Sequence, residues 1–403
     1  MKTHKLILTA VQFLLATNYL FSQGEAAIPF LVFPVSPAQN AMGATGTSLP
    51  TDDTYGFLFN PAQLGYTSQS NNLSFIFYPS KIEWENFNQA SLNGIGLNLG
   101  YNFKNLLNFP LSVGIGFANP EINYGEFTTT TGTFEPKDYY YAYSIGAGID
   151  YYLQFYAGIT YKSITSILSD QPAEQGGSGK AEVSAIDYGF LLNVPIIRLI
   201  NENLNFDMIK NVSTKPYLNF SLGYAISNIG NEVVYFDPAQ ADPLPRTARF
   251  GYGVSAGLNM QFEKFVLNAF DIAFTVDAED ILIEKDSLGS SYQSGLGDID
   301  FSKNVIQIEG DENVVSHAGL QISFLETVVL RSGHFSGKHF GEIKTNGIEI
   351  RAKGLLKLLE ELSDSPTIKF LSDHFDLRYY NTDYISNLSK MNGIALMING
   401  FDF

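Results

Sequence analysis

Long stretches of strict two-residue alternation narrow what this chain can become more than any other feature. In Gly94–Phe103, Ile95, Leu97, Leu99, Tyr101 and Phe103 alternate with Gly94, Gly96, Asn98, Gly100 and Asn102. Successive side chains of a strand point to opposite faces, so the pattern builds one bulky apolar face and one face of glycine and small polar groups. In Tyr139–Asp150, Tyr143, Ile145, Ala147 and Ile149 oppose Ser144, Gly146, Gly148 and Asp150. Leu218–Ser227 turns Phe220, Leu222, Tyr224 and Ile226 one way, and Arg249–Gln261 does the same with Phe250, Tyr252, Val254, Ala256, Leu258 and Met260.

About 14 such segments can be marked, near residues 72–80, 91–103, 111–119, 139–150, 153–165, 183–195, 215–228, 247–261, 265–277, 314–325, 327–335, 343–353, 373–384 and 392–403. They run to roughly ten residues, the ~9–11 a tilted strand needs to cross a bilayer and more than the ~5–6 of soluble sheets. A soluble sandwich or solenoid would expose Lys, Glu and Thr on its polar face. Gly, Ser, Asn and Asp in long rows instead suit the inside of a closed cylinder, and Tyr and Phe near strand ends suit its aromatic girdles.

Connection lengths give an internal check. With an even strand count and both termini inside, the connections Lys104–Pro110, Tyr151–Tyr152, Phe262–Lys264 and Glu326 are short and fall on the periplasmic side. The long polar connections Pro120–Asp138, Ser166–Glu182, Gly230–Pro245 and Ala278–Asn313 all fall on the outer side. Two long connections break the rule, Ile196–Lys210 and Gly354–Leu371, and the helical spacing of Gly354–Leu362 predicts short helices at the periplasmic rim.

Lys2 and Lys5 precede the apolar run Leu6–Leu20, and Ser22-Gln23 offers a small-residue cleavage point, the layout of a secretory signal over residues 1–22. After Gln23 no stretch approaches the ~18 uninterrupted apolar residues of a spanning helix. Charged residues make up 16 % of the 403, against about 25 % in soluble domains. The formal charge of −17 repels phosphate backbones, and no basic stripe overrides it, so nucleic-acid binding is not expected. The absence of cysteine excludes disulfides, thiolate metal sites and thiol nucleophiles.

Between the signal and the first strand lies an irregular, half-apolar segment, residues 23–70. A barrel of about 14 strands is too wide for its wall side chains to fill, since about eight strands already leave a just-filled interior. The segment is expected to plug that lumen, with the barrel itself over residues 71–403. Gly43, Gly46 and Gly56 permit tight bends, Asp52 and Asp53 can accept backbone N–H groups at a turn, and Pro61 steers Asn60 away from helix.

The run Ala41-Met42-Gly43-Ala44, then Asp52-Asp53, then Asn60-Pro61-Ala62-Gln63-Leu64, resembles the N-terminal signature of the PorV/PorQ family. That family looks like a branch of the FadL-type barrels, whose N-terminal hatch carries a similar Asp-Asp and Asn-Pro-Ala pattern. Ile226–Gly230, Leu244–Gly251, Ala318–Phe324 and Leu330-Arg331 extend the resemblance over most of the chain. Gln63 departs from it by replacing a glycine, as do His334 and Leu377 where tyrosine is usual. The terminal Phe403, with Phe401 on the same face, resembles the insertion signal of outer-membrane barrels.

The resemblance implies an all-β, transmembrane antiparallel β-barrel of 14 strands, FadL-like, with an N-terminal hatch in its lumen, in the outer membrane of a diderm bacterium. Its hatch-motif residues are Gly43, Asp52, Asp53, Asn60, Pro61 and Ala62. PorV-type members are implicated in type IX secretion, which implies secretion-system subunits and exported cargo proteins as partners beside outer-membrane lipid. A FadL-like channel for hydrophobic solutes and a structural barrel with a closed lumen stand as alternatives.

Enzyme chemistry finds little footing. The glycine pairs Gly94/Gly96, Gly114/Gly116 and Gly146/Gly148 lie on the small face of alternating strands and open no helix, so no cofactor is expected. Gly176–Lys180 lacks the glycine and the Ser/Thr of a phosphate loop. His4, His317, His334, His339 and His374 show no metal-ligand spacing. Asp277, Glu279, Asp280, Asp298, Asp300, Asp311 and Glu312 lack the order of a calcium loop and read as a solvated acidic surface.

Overall fold

The computed structural model describes residues 26–400, apart from 82–89, 130–131, 170–178, 210–211, 238, 240, 287–288, 339 and 386–388. The expected signal over residues 1–22 and the terminal Phe401 and Phe403 lie outside these described residues. Fourteen strands form one antiparallel ring: β1 (Asn72–Lys81), β2 (Ser91–Asn102), β3 (Leu111–Asn123), β4 (Lys137–Asp150), β5 (Gln154–Ile167), β6 (Lys180–Pro195), β7 (Val212–Gly230), β8 (Thr247–Gln261), β9 (Val266–Ile281), β10 (Val314–Phe324), β11 (Val328–Gly337), β12 (Phe340–Arg351), β13 (Phe375–Ile385) and β14 (Ser389–Asn399). Each pairs with the next in sequence, and β14 returns to β1 through Asn72 opposite Asn399. The short strand Phe206–Ile209 folds back on the start of β7.

The ring closes with a stagger of one residue per strand. Moving from Ile76 across the ladder to Gly96 and sliding one residue toward the short-turn end reaches Leu97. The same step repeated through Gly116, Ile145, Gly158, Phe190, Gly223, Tyr252, Thr275, Leu320, Arg331, Ile348, Tyr380 and Ile394 returns to Ile76. These residues define one level of the barrel, and the stagger produces strand tilts of about 40°.

Burial follows the alternation. Ile95, Leu97 and Leu99 of β2 are exposed while Gly94, Gly96, Asn98 and Gly100 are buried. Ile115, Tyr143, Ile145, Phe155, Ile159 and Phe190 continue the exposed apolar surface from strand to strand, with no second protein layer over them among the described residues. From Tyr139 to Ile149 the outward face of β4 covers about 25 Å, at ~3.3 Å per residue and the tilt above, the height of a bilayer's apolar band. A belt of that size on a closed barrel is a lipid-facing surface. The protein is a transmembrane β-barrel.

In chain order the helices are α1 (Pro37–Asn40), α2 (Gln63–Thr67), α3 (Lys104–Leu107), α4 (Ile196–Ile200), α5 (Ala352–Leu362) and α6 (Pro366–His374). The last four lie at the short-turn rim; α4, α5 and α6 fall in the two long connections where the sequence expects helices, and α3 forms within Lys104–Pro110, read only as a short turn. There Lys357 of α5 bridges Glu326 and the carbonyl of Val266, each at 2.6 Å. At the opposite end, the loop after β9 folds down on the outside of the wall. Ala278, Val305 and Val314 form an apolar cluster there, with Phe301 against Phe250 at 5.7 Å.

The lumen departs from the expected lining of small residues. Toward the long-loop end Ile76, Tyr78, Leu92, Ile122, Tyr140 and Ile164 all point inward and are buried. They pack on Phe30, Tyr55, Phe57 and Leu64 of the N-terminal segment, so the main apolar core lies inside the barrel. The segment is itself apolar there, and only apolar wall side chains can cover it without stranding polar groups.

Candidate functional site

Residues 26–71 lie within the ring and touch opposite walls. Gly43 has a φ of +72°, a left-handed value that favours glycine, and its N–H donates to Thr345 Oγ1 at 2.8 Å. A Cβ there would stand 2.6 Å from the carbonyl oxygens of both Ala318 and His334, so segment and wall meet backbone to backbone. Gly46 and Gly56 do not have positive φ, and Gly56 opens a tight 3-10 turn over Gly56–Leu58. Both make room: a Cβ on Gly46 would strike the Phe59 ring, and one on Gly56 the Thr51 methyl.

Asn60 ties three places together. Its Nδ2 donates to the carbonyls of Thr47 (2.8 Å) and Phe190 (3.0 Å), and its Oδ1 accepts the Ala62 N–H (3.0 Å). Pro61 and Ala62 turn the chain into α2, and the Pro61 carbonyl lies against the bare backbone of Gly146 and Gly158. Gln63, the departure from the family pattern, donates to the Leu49 carbonyl (2.9 Å) and accepts the Thr51 N–H (3.1 Å). It closes the loop 49–63 with bonds that a glycine lacks.

The adjacent acidic pair divides. Asp53 accepts from Ser36 and from the Tyr55 N–H (3.1 Å), the turn role expected of both residues. Burial raises its pKa above the ordinary carboxylate value. Asp52 does not cap a turn. Its side chain, 47 % exposed, reaches the wall and accepts from Arg378 Nη2 at 2.6 Å. Burial acts to raise its pKa, but the Arg378 and Arg351 guanidinium charges outweigh that and hold it well below the ordinary carboxylate range.

The sequence reading missed the wall side of this seat. Glu349 accepts from Arg331 at 2.5 Å and from Arg351 at 2.6 Å, and Arg378 also bonds Asp376 at 2.6 Å. Asp277, expected on a solvated surface, points inward and accepts from Gly46 N (2.8 Å), Thr47 N (2.9 Å) and Ser48 Oγ (2.8 Å). Glu279 pairs with Arg249, which donates to the Ala44 carbonyl at 3.0 Å, and His317 Nδ1 lies 2.7 Å from the Gly43 carbonyl. On the opposite wall Lys162 pairs with Asp187 at 2.8 Å, and Asn228, at a φ of +61°, joins both. Gln321 accepts from Arg331 Nε at 2.8 Å behind this seat. One signal could have found the charges: they interrupt the small face of otherwise neutral alternating strands.

Below the segment, toward the short-turn end, lie two adjoining spaces of about 570 and 420 Å³. Asp52, Tyr66, Tyr217, Asn268, Asp271, Gln321 and Arg351 line both. Burial pushes the Tyr66 hydroxyl up to about 12. Above them, between Leu31–Val35 and the wall at Tyr140, Lys162 and Arg249, a crevice of only about 40 Å³ remains. Among the described residues no three potential metal ligands cluster.

The architecture defines a class: a 14-stranded transmembrane β-barrel with its N-terminal segment inside. No family model matches the chain, and no curated protein matches it. Among solved structures it is similar to the Pseudomonas putida toluene transporter TodX, with 13 % identity over 90 % of this chain and 96 % of that one, at a TM-score of 0.38. The Ralstonia pickettii toluene transporter TbuX gives 11 % identity over 90 % and 97 %, at 0.36. The translocator domain of the autotransporter NalP from Neisseria meningitidis gives 12 % over 81 % and 86 %, at 0.33.

Proposed function

We propose that this protein is an outer-membrane conduit for small hydrophobic solutes, with residues 26–70 as its hatch and Gly43, Asp52, Asp53, Asn60, Pro61 and Ala62 as the hinge and anchor points. Residues 1–22 direct export, and the short-turn end faces the periplasm. One observation carries the reading. The hatch is held unevenly: Gly43, Thr47 and Asp52 meet the wall through hydrogen bonds and an ion pair, and Leu49–Asp52 line open space of about 420 Å³, while Phe30, Tyr55, Phe57 and Leu64 lie in apolar core. Polar contacts next to water exchange readily for water, so the half-exposed stretch Leu49–Asp52 is the part able to withdraw. Uptake of a hydrophobic fluorescent probe by proteoliposomes tests this: Asn60→Ala and Asp52→Asn change the rate, whereas no transport by wild type or variants removes the conduit.

A second reading, a PorV/PorQ-type barrel that hands exported proteins to the cell surface in type IX secretion, draws on a separate observation. The long-loop end carries built structure: the hairpin Phe127–Thr129/Gly132–Phe134, the Val233–Asp242 bridge and the hairpin Ile283–Asp286/Gly289–Tyr292. Such surfaces suit protein docking. Deleting residues 124–136 then strands surface proteins in the periplasm, and unchanged delivery with the barrel inserted rejects the role.

A further inference from the structure

The apolar belt is not level around the barrel. Heights can be compared because one residue of stagger per strand defines the level through Ile76, Ile145 and Ile348. Above that level the outward residues of β4–β7 remain apolar: Tyr143 and Tyr141, Ile159 and Tyr161, Tyr188 and Ile186, and Tyr224. At the same height on β11–β14 stand Ser332, Asn346, Asn381 and Asn392, and one outward position higher His334, Lys344, Asp383 and Lys390. Their outward direction follows from their neighbours, since Arg331, Thr345, Arg378 and Thr382 all bond inward to the N-terminal segment or its seat.

The apolar belt therefore stops about 10 Å lower on this sector, two outward positions at ~3.3 Å per residue and the common tilt. Lipid tails at that depth would meet amides and charges, which a bilayer tolerates poorly. Some of these groups already pair along the wall: Ser332 donates to Asn346 at 2.9 Å, Asn381 to Asn392 at 2.7 Å, and Lys344 lies 3.9 Å from Glu342.

The sector is also matched to itself about the β12–β13 seam. On either side, within one residue of the same height, stand Lys344 and Asp383, Asn346 and Asn381, Ile348 and Tyr379, then Ile350 and Leu377. One strand further out Ser332 and Asn392 stand within one residue of the same height. A two-fold axis along the membrane normal through this seam brings β12 of one copy against β13 of the other. Each Lys344 then faces an Asp383, each asparagine faces an asparagine, and the apolar pairs meet below.

We propose that a second copy of this chain covers this sector, as a two-fold dimer within the membrane. Isologous contacts require a surface complementary to itself, and opposite charges placed symmetrically about one seam meet that requirement. Association there also removes the polar sector from lipid.

The absence of native cysteine makes the test direct. Asn346→Cys and Asn381→Cys, each alone in the full chain, are oxidised in native membranes beside Ile145→Cys on the far wall. The two seam variants are expected to form a disulfide-linked species of twice the chain mass, and Ile145→Cys none. Adding Lys344→Asp to Asn381→Cys lowers the yield by about tenfold, and adding Asp383→Lys as well restores it. Heat-modifiable migration verifies that each barrel is folded. Monomer at both seam positions, equal linkage at Ile145→Cys, or linkage to a different protein overturns the proposal.

Discussion

Asp52 and Asp53 are neighbours in sequence and opposites in chemistry. The folded pKa of Asp52 is depressed, so its contribution to hatch stability is complete above the unfolded value of about 3.9 and is lost as acidification approaches the folded value. That of Asp53 is raised, so its ionisation weakens the fold at neutral pH and acidification relieves it. Asp52→Asn is expected to destabilise at pH 7 by about 1 kcal/mol, a low figure because Asp52 is half-exposed and the buried Arg378 keeps Asp376 as a partner. Asp53→Asn keeps one oxygen for the Tyr55 N–H and turns its Nδ2 to Ser36 Oγ, which can accept, and is expected to be neutral or stabilising. Urea unfolding of the two variants at pH 7 checks the opposite signs. Gly43→Ala forces a positive φ and a clash with the Ala318 and His334 carbonyls together, at a cost of at least ~1–3 kcal/mol. A fall in unfolding midpoint of that size is the expected reading.

Among the elements, the strands were legible and their partners were not. Each alternating segment marked in the sequence became one barrel strand, with boundaries within a few residues, because a two-residue period is encoded by adjacent positions alone. The inward apolar row of Ile76, Tyr78 and Leu92 was hidden, since Phe75-Ile76-Phe77-Tyr78 carries bulk on both faces and shows no alternation. That row meets the hatch ring of Phe57, fully buried beside Gly116. Phe57→Ala is expected to destabilise by about 3–5 kcal/mol, the range for emptying a packed aromatic site. Phe155→Ala, which removes a lipid-facing ring, costs less. Chemical unfolding in proteoliposomes gives both values, and equal losses would refute an apolar seam between hatch and wall.

At the scale of the whole molecule, closure makes a filling necessary: a 14-strand ring without one leaves a water-wide bore. Removal of residues 26–70 is expected to produce large steady conductance in planar bilayers, with the intact chain closed or only briefly open. The sequence by itself determined the strand periods, their membrane length, the rim helices and the apolar exterior, because each depends on residues a few positions apart. Only the tertiary structure decided that Asp52 meets Arg378, 326 positions away, that Asp277 holds Gly46 and Thr47, and that the polar sector stands on β11–β14. Those outcomes depend on how one residue of stagger accumulates around a closed ring, a collective property that no local pattern carries.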